Sequence, residues 1–348
     1  MDKMISEVPY YSDLKTIEKF IPGLNKLDGS KILITGANGL IGSAVADLLL
    51  SYGHGIEICA ATRSEAKFND RFGKTDCKFV KFDSEIGVMT EENFDYVIHT
   101  ASPANPRLYA TEPVETMLVN IKGLDNMIRF SRSHGVKRIL YVSSSEVYGR
   151  TESYKEFEEK DYGFVDIESP RSCYPSAKRA CETLLASYKS EYGLDYVTVR
   201  PGHVFGPTAN KSDTRASTAF FYDVLEGKNI VMKSAGSQRR SYCYVPDCAS
   251  AILAVLASGA AGEAYNISNV RSCCTIRELA ECISECSGTE LVFENPSDKE
   301  KAGYNQMENS VLNARKLEDL GWSGCFDLKD GVMHTLESMG KIFREDIG

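Results

Sequence analysis

The stretch Lys31–Leu50, KILITGANGLIGSAVADLLL, decides the fold. It begins with an apolar run typical of a buried parallel strand, passes through a glycine-rich turn and ends in apolar residues at helical spacing. The glycines are Gly36, Gly39 and Gly42. The first lets the chain turn tightly, the second lets backbone N–H groups approach a pyrophosphate, and the third lets the helix pack against the strand. This context predicts a dinucleotide site with the phosphates at the helix N-terminus.

Length and composition are ordinary for a globular α/β protein. The chain has 348 residues, of which 43% are hydrophobic and 26% are charged, enough for a large domain with a smaller lobe. A net charge of -9 argues against a nucleic-acid partner. The apolar stretches are shorter than a membrane span requires, and the first residues lack the apolar core of a signal peptide. We therefore expect a cytoplasmic protein with no nucleic-acid or membrane partner.

Cysteine usage supports a reducing compartment. The eleven cysteines are scattered through predicted strands and helices, which favours buried thiols over a disulfide framework. Two pairs have spacings that occur in metal sites, Cys243 with Cys248 and Cys282 with Cys286. Neither pair has a His or a second Cys pair nearby to complete four ligands. The sequence thus predicts no metal site.

Apolar strands alternate with predicted helices along the first 200 residues. Strands are predicted over 55–61, 77–82, 95–100, 138–143 and 196–200, and helices over 114–134, 172–188, 218–226, 249–258 and 276–286. The alternation predicts a Rossmann-type α/β fold, a doubly wound parallel sheet that binds ligands at the carboxyl ends of its strands. We assign residues 1–30 to an N-terminal extension with a helix over 11–21, and residues 31–200 to the NAD(P)-binding domain. Residues 201–348 form mainly a substrate-binding lobe, with some elements returning to the sheet.

The end of the second predicted strand bears on cofactor choice. In many NAD-binding folds an acidic residue at this point bonds the ribose 2′-hydroxyl, whereas this chain has Thr62, Arg63 and Ser64. Arg63 is suited to pair with a 2′-phosphate, which points towards NADP. The alternative is that Arg63 faces solvent and that NAD binds without the acid. The sequence therefore leaves the choice between NAD and NADP open.

Three polar side chains supply an acid–base set. Tyr174 and Lys178 are four residues apart on a predicted helix and share one of its faces, and Ser144 follows a predicted strand. A lysine ammonium and a nicotinamide cation both favour the phenolate, so we expect the pKa of Tyr174 to be lowered from its usual value of about 10. A serine hydroxyl orients a substrate oxygen for hydride transfer. We predict that these three residues are catalytic.

Several stretches resemble the extended short-chain dehydrogenase/reductase family, which includes nucleotide-sugar epimerases, dehydratases and decarboxylases. The resemblance covers about residues 30–340, and within the family it is strongest to the UDP-glucuronate decarboxylases. Besides the glycine turn, it is carried by ASPANP at 101–106 with Tyr109 and 112–113, SSEVYG at 144–149, PRSCYPSAKRACET at 170–183, GSQRRSYCYVPD at 236–247 and LGW at 320–322.

The resemblance implies the site residues, the substrate class and an assembly. The implied cofactor-binding residues are Gly36, Asn38, Gly39, Leu40, Ile41, Gly42, Arg63, Asp83, Ala101, Ser102, Asn120, Ser143, Tyr174, Lys178, Pro201, His203 and Val204. The implied substrate contacts are Pro103, Tyr109, Ser145, Glu146, His203, Arg215 and Arg240, the last of these at the diphosphate. The implied substrate is a nucleotide sugar. A homodimer through helices 114–134 and 174–188 is also implied, although apolar faces on these helices suit a monomer core equally.

The chemistry of the resembled family matches these side chains. A retained nicotinamide cofactor takes a hydride from C-4 of the sugar while Tyr174 acts as base, and the 4-keto group then makes a C-5 carboxylate labile. Dehydratases carry an Asp–Glu pair where this chain has Ser145 and Glu146. Because the Asp is lost and Glu146 stays near C-5 as a further catalytic residue, we expect decarboxylation. The alternatives are a 4-epimerase, an NADP-dependent 4-ketoreductase and a non-catalytic nucleotide-binding protein; for Glu146, the alternative is a structural carboxylate.

The chain departs from the family pattern at several recognition positions. His203 stands where the family often has Asn, Ala219 lies near another expected Asn, and 175–177 reads Pro-Ser-Ala in place of Asp-Glu-Gly. None of these departures removes Ser144 or Tyr174. The sequence therefore does not decide which nucleotide and which sugar the substrate contains. His203 is either a ligand contact or a histidine packed in the core.

Overall fold

The computed structural model describes residues 8–152, 155–296 and 307–345. Its largest sheet has eight strands, all parallel except the last edge strand. In spatial order they are Ala264–Ile267, Tyr196–Pro201, Arg138–Val142, Tyr96–His99, Lys31–Thr35, Glu57–Thr62, Lys78–Asp83 and Gly87–Met89. The predicted doubly wound α/β fold is confirmed. The strand order reverses beside Lys31–Thr35, which places a ligand crevice at that point.

Helices cover both faces of this sheet. The helices of the described residues are Pro9–Ile17, Leu40–Tyr52, Glu65–Phe72, Pro106–Thr111, Pro113–Ser133, Cys173–Tyr192, Ala216–Leu225, Val245–Ser258, Ile276–Ser287, Arg315–Glu318 and Leu328–Glu345. On one face Leu40–Tyr52 packs beside Val245–Ser258, and on the other Pro113–Ser133 packs beside Cys173–Tyr192. Because both faces are covered, the central strand carries a continuous apolar run whose residues Ile32, Leu33 and Ile34 have no exposed surface. No helix of the described ranges combines the length and the apolar character needed to cross a bilayer.

The N-terminal helix is built into the core. It runs over Pro9–Ile17, starting and ending earlier than the predicted 11–21, and buries Leu14 completely. The hydroxyl of Tyr10 donates to Asp47 of the glycine-turn helix at 2.8 Å. Asp13 accepts from the Tyr244 hydroxyl at 2.9 Å. These buried bonds tie the extension to both the dinucleotide half and the C-terminal half of the chain.

A smaller sheet lies beside the large one. Its strands are Cys273–Thr275, Arg239–Tyr244, Asn309–Ser310 and His203–Phe205, and a separate pair joins Ile230–Met232 to Leu291–Phe293. The chain passes from the large sheet to the small one at Gly202, between Pro201 and His203. A Cβ at Gly202 would lie 2.3 Å from the Ser241 carbonyl oxygen, so only glycine allows the two strands to approach. This crossing brings the small sheet to the ligand edge of the large one.

Candidate active site

The glycine turn has the geometry of a phosphate cradle. Gly36 has φ +66°, and its carbonyl accepts from the Gly39 N–H at 2.9 Å. A Cβ on Gly36 would lie 2.8 Å from the Ala101 nitrogen, and one on Gly42 would lie 2.5 Å from the Gly36 oxygen. Both positions therefore require glycine. The N–H groups of Leu40, Ile41 and Gly42 lie in the first helical turn, where no intrahelical acceptor exists.

A buried acceptor beside this turn also fits a dinucleotide. The Oδ1 atom of Asn38 is buried and has no hydrogen-bond partner among the described residues. Because buried polar atoms are nearly always paired, this oxygen indicates a donor supplied by a ligand. The cradle and Asn38 together fit a nicotinamide dinucleotide whose pyrophosphate meets the helix N-terminus.

The other predicted cofactor residues differ in their exposure and in whether they already have hydrogen-bond partners within the protein. Ser102 donates to Asn120 Oδ1 at 2.9 Å, and the Asn120 amide donates to the Thr116 carbonyl, so both side chains already have partners within the protein. Asp83 accepts from the Glu85 N–H at 2.8 Å. Arg63 is exposed at the end of its strand. Ala101 follows the strand Tyr96–His99, and Pro201, His203 and Val204 lie at the crossing between the two sheets.

The predicted catalytic residues come together at the carboxyl edge of the sheet. Tyr174 lies in the first turn of Cys173–Tyr192, and Ser144 follows the strand Arg138–Val142. The side chains of Ser144 and Tyr109 lie beside the Tyr174 hydroxyl, and both act to lower its pKa. The ring of Tyr109 stacks on that of Tyr174, with centroids 4.7 Å apart and planes 15° apart. The phenol is therefore fixed in direction as well as in position.

The acidity of Tyr174 differs from the sequence-based prediction. Its pKa is raised to about 12, chiefly because burial disfavours the phenolate and secondly because Glu146 is negatively charged. The hydrogen bond from Ser144 opposes this shift. The expected lowering by Lys178 is wrong for this structure. The Lys178 ammonium lies 5.7 Å from the centre of the Tyr174 ring, and desolvation of the buried phenol exceeds its influence.

Lys178 is itself a buried cation. Its side chain is 2% exposed, its Nζ donates to the Val142 carbonyl at 2.9 Å, and it lies 4.7 Å from the centre of the Tyr141 ring. Burial lowers the pKa of Lys178 to about 8, with Cys181 and Glu182 acting in the opposite direction. The ammonium is thus still mainly charged at neutral pH, although its charge costs stability.

This lowered pKa gives a test by unfolding. Lys178 has a pKa of about 8 in the fold against 10.5 in the unfolded chain, so the folded state loses its proton first as the pH rises. Between about pH 8 and pH 10.5, the free energy of unfolding of the wild type should therefore increase by roughly 3 kcal/mol relative to that of Lys178→Met. Urea unfolding of both proteins across that window measures the difference. If the free energy of unfolding of the wild type relative to Lys178→Met does not change with pH, or decreases as the pH rises, Lys178 is not a buried cation.

Glu146 is held by an arginine that sequence reasoning did not single out. Arg171 donates from Nη1 and Nη2 to the two carboxylate oxygens of Glu146, each at 3.1 Å. The guanidinium carbon lies 4.8 Å from the centre of the Tyr109 ring. Arg171 stands three residues before Tyr174, within a stretch already recognised as characteristic. Its position was therefore visible in the sequence, but its ionic partner was not.

A second network fixes the strand end that carries the serines. Ser143 donates to Glu182 at 2.5 Å, and Glu182 also accepts from two nitrogens of Arg200. Ser145 is buried beside it. Glu182 lies four residues after Lys178 and eight after Tyr174, so the three share one helical face, a signal that sequence reasoning left unused. This network holds the serine turn against the helix Cys173–Tyr192.

A cationic corner lies where the small sheet meets the site. His203 has a buried Nδ1 with no partner among the described residues, and its pKa is lowered to about 3 by burial and by the charges of Arg240 and Arg215. Arg240 is buried, and its Nη1 donates to the Arg239 carbonyl at 2.9 Å. Arg215 is paired with Asp213. Such a corner suits an anionic group such as a diphosphate. The predicted contact Pro103 is partly exposed ahead of the helix Pro106–Thr111.

One cluster of metal-type ligands occurs among the described residues, away from the catalytic residues. Atoms of Glu57, Cys59 and Glu92 lie within 4.8 Å of one another. The Lys31 ammonium, however, forms ion pairs with both glutamates. Because this ammonium already supplies the cation, we assign no metal to the cluster.

A glycine cradle at the switch point of a doubly wound sheet, with a fixed tyrosine and a buried lysine beside it, defines a dinucleotide-dependent α/β enzyme. The comparison with protein families makes this specific. Residues 32–268 match the NAD dependent epimerase/dehydratase family, and the chain belongs to that family. The resemblance recognised in the sequence is confirmed.

The chain is similar to characterised proteins over most of its length. It is 30% identical over 314 residues to UDP-glucuronic acid decarboxylase 6 of Arabidopsis thaliana, covering 87% of this chain and 86% of that protein. It is 28% identical over 354 residues to UDP-glucuronic acid decarboxylase 1 of Xenopus tropicalis, covering 98% and 82%. UDP-glucuronic acid 4-epimerase from Bacillus cereus, solved in complex with UDP-glucuronic acid and NAD, has the same fold with a TM-score of 0.76. That likeness covers 90% of this chain and 99% of that one at 20% identity.

Proposed function

We propose that the protein is a nucleotide-sugar decarboxylase that converts UDP-glucuronate into a UDP-pentose and CO₂ through a 4-keto intermediate. The observation that carries the proposal is the placement of Ser144 and Glu146 close to the Tyr174 hydroxyl, at the end of the strand Arg138–Val142. This arrangement suits oxidation at C-4 with a carboxylate near C-5. The similarity to UDP-glucuronic acid decarboxylases over most of the chain supports the choice of reaction.

Each proposed step assigns a proton or an electron pair to a named group. NAD held at the glycine turn and Asn38 would supply the hydride acceptor at C-4 and the hydride for its later reduction. Tyr174 accepts the proton of the C-4 hydroxyl, and Ser144 holds the same oxygen. When CO₂ leaves C-5, the electrons of the broken C–C bond move into an enolate whose oxygen faces these two hydroxyls. A proton from water at C-5, the hydride returned to C-4 and the proton returned from Tyr174 to the C-4 oxygen complete a redox-neutral reaction.

Lys178 and the cationic corner complete the proposed roles. The buried ammonium of Lys178 supports negative charge on Tyr174 during proton transfer, because charges interact strongly in a site shielded from water. Arg240 and Arg215 receive the diphosphate, with His203 beside them. A cation pair is the usual protein complement to two linked phosphates.

We propose NAD rather than NADP as the retained cofactor. The family is described as NAD dependent, and Arg63, the residue that favoured NADP, is exposed. We further propose a cytoplasmic homodimer. All eleven cysteines carry free thiols. Exposed apolar side chains on the paired helices Pro113–Ser133 and Cys173–Tyr192, such as Val114, Leu118 and Tyr192, suit a subunit contact.

A 4-epimerase acting on the same substrate is the second candidate. The observation that favours it is the ion pair between Glu146 and Arg171, because both carboxylate oxygens already accept N–H bonds and are not free to act at C-5. Epimerisation needs no chemistry at C-5.

Product analysis separates the candidates. The purified protein is incubated with UDP-glucuronate without added reductant, and the products are identified by mass spectrometry and NMR. Equal amounts of UDP-pentose and CO₂ are expected. Formation of UDP-galacturonate without release of CO₂ would show that the protein is a 4-epimerase and not a decarboxylase. In a parallel incubation with added NADPH, stoichiometric consumption of the NADPH would show that the protein is a ketoreductase.

A further inference from the structure

Lys178 carries a buried positive charge that no carboxylate of the described residues pairs with. Its Nζ donates one hydrogen bond to these residues, to the Val142 carbonyl at 2.9 Å, although an ammonium has three N–H groups to offer. The nearby carboxylate of Glu182 is already bound by Ser143 and Arg200. Because a buried ammonium is costly unless its charge is balanced, another group must contribute.

The ring of Tyr141 is in the position to do so. The Lys178 ammonium lies over this ring, 4.7 Å from its centre, and is 5.7 Å from the centre of the Tyr174 ring. The electron-rich face of an aromatic ring attracts a cation within about 6 Å, and the attraction is stronger where water is excluded. Tyr141 is 1% exposed, so its contact with Lys178 is shielded from water.

The Tyr141 ring is also fixed in place. Tyr141 lies in the strand Arg138–Val142, which has a parallel strand on either side. Its ring stacks on that of His99, with centroids 6.0 Å apart and planes 21° apart. His99 is held in turn by a hydrogen bond between its Nδ1 and Thr35 Oγ1 at 2.9 Å. The ammonium therefore meets a rigid aromatic surface.

The hydroxyl of Tyr141 does not account for the presence of a tyrosine at this position. Its oxygen is buried and has no hydrogen-bond partner among the described residues. A buried hydroxyl without a partner lowers stability. The ring, which faces the ammonium of Lys178, is the part of the side chain that stabilises the site.

We propose that Tyr141 is a positioning residue that acts through Lys178, the face of its ring stabilising the charged form of the ammonium beside Tyr174. The proposal rests on the proposed function in one respect, namely that a charged Lys178 supports proton transfer by Tyr174. If Tyr141 served only to fill space, its contribution to stability would be the same for a charged and for a neutral lysine.

The surroundings of Lys178 allow its charge to be followed by pH. Among the described residues, the titratable groups that face it from its own helix and from the sheet are Tyr174, Cys181, Glu182, Tyr141 and His99. Burial raises the pKa of both tyrosines and of Cys181 and lowers the pKa of His99 to about 3, so these four are mainly neutral between pH 7 and 9. Glu182 is ion-paired with Arg200. Lys178 is therefore the group of this cluster that changes charge near pH 8.

Urea unfolding of the full chain between pH 6 and 9 tests the proposal. Each protein is compared with the same protein carrying Lys178→Met, which isolates the contribution of Lys178 to the free energy of unfolding. In the wild type this contribution should start to rise near pH 8, where the folded protein releases the proton. In Tyr141→Leu the rise should start about one pH unit lower, because a desolvated cation–π contact changes the protonation equilibrium roughly tenfold.

Tyr141→Phe separates the ring from the hydroxyl. It keeps the aromatic face, so the rise should start at the same pH as in the wild type. Its stability should equal or exceed that of the wild type, because the unpaired hydroxyl is removed.

Tyr196→Leu is the matched control for packing. Tyr196 is buried in the same apolar cluster, on the neighbouring strand. Its loss should lower stability by an amount that does not depend on pH and should leave the start of the rise near pH 8. If Tyr141→Leu does not fold, Tyr141→Met removes the ring while filling more of its space, and it should show the same shift. An unchanged starting pH in a folded Leu or Met variant, or an equally lowered one in Tyr141→Phe, overturns the proposal.

Turnover provides the catalytic readout. The kcat of Tyr141→Leu should be about fivefold lower than that of the wild type at pH 8 and nearly equal to it at pH 6, where the lysine is charged in both proteins. A ratio of the two kcat values that does not change with pH would overturn the role of Tyr141 in catalysis.

The inference and the proposed function fail separately, because unfolding requires no substrate. A lower starting pH in Tyr141→Leu supports the inference even if UDP-glucuronate is converted into UDP-galacturonate, a result that would end the decarboxylase proposal. Release of CO₂ by a protein in which Tyr141→Leu leaves the starting pH unchanged would retain the decarboxylase and overturn the inference.

Discussion

Replacement of Tyr174 by Phe is expected to lower kcat by about 10²- to 10⁴-fold, the range that a positioned acid–base group contributes. The phenolic oxygen is the one atom removed, and it lies beside the side chains of Ser144 and Tyr109 at the strand end. Phe retains the ring that stacks on Tyr109, so the fold and the bound cofactor should be unaffected. Steady-state turnover of UDP-glucuronate, with the cofactor content of each preparation measured in parallel, gives the comparison.

Tyr109→Phe is the matched control for this loss. It removes the hydroxyl beside that of Tyr174 but keeps the stacked ring, so its effect on kcat should be much smaller than that of Tyr174→Phe. Turnover by Tyr174→Phe within about tenfold of wild type would show that another group takes the proton. The assignment of Tyr174 as base would then be abandoned.

The second large effect is expected from Gly42→Ala. The added Cβ would lie 2.5 Å from the Gly36 oxygen and 2.7 Å from Thr100 Oγ1, and the first of these atoms is backbone that cannot move without opening the turn. Overpacking of this kind costs roughly 1–3 kcal/mol, and here it also displaces the N–H groups expected to bind the pyrophosphate. We expect a protein that is purified largely without cofactor and that unfolds at lower temperature.

Gly340→Ala makes the same chemical change at a harmless position. Gly340 lies in the C-terminal helix, and its Cβ would meet only Leu225 Cδ2 of the helix Ala216–Leu225, at an ordinary contact distance of 3.7 Å. Cofactor content and melting temperature should therefore equal or exceed those of the wild type. Full cofactor retention by Gly42→Ala would show that the turn is not the pyrophosphate site.

Features set by local sequence were predictable. The turn at Gly36 and Gly42 needs no distant information, because tight turns and close helix packing admit glycine alone. The central parallel strands were located within a residue or two, because burial on both faces makes them continuous apolar runs. Tyr174 and Lys178 were paired by helical spacing, which the helix Cys173–Tyr192 preserves.

Features that depend on tertiary contacts were missed or mistaken. The ion pair of Arg171 with Glu146 joins residues 25 positions apart, and no spacing rule connects them. The pKa of Tyr174 was expected to fall because the sequence shows the neighbouring lysine but not the degree of burial. The helix Glu65–Phe72 was not predicted, because it is short and its only buried residues are Phe68 and Phe72.

The central claim is that the enzyme's own retained cofactor oxidises the sugar at C-4 before any carbon is lost. Rapid mixing of the purified protein with UDP-glucuronate, with no cofactor added, tests it by the absorbance of reduced nicotinamide. The account predicts a transient rise that decays as CO₂ and UDP-pentose appear and that is absent in Tyr174→Phe. Product formation without any reduced nicotinamide, or a rise of equal rate in Tyr174→Phe, would contradict it.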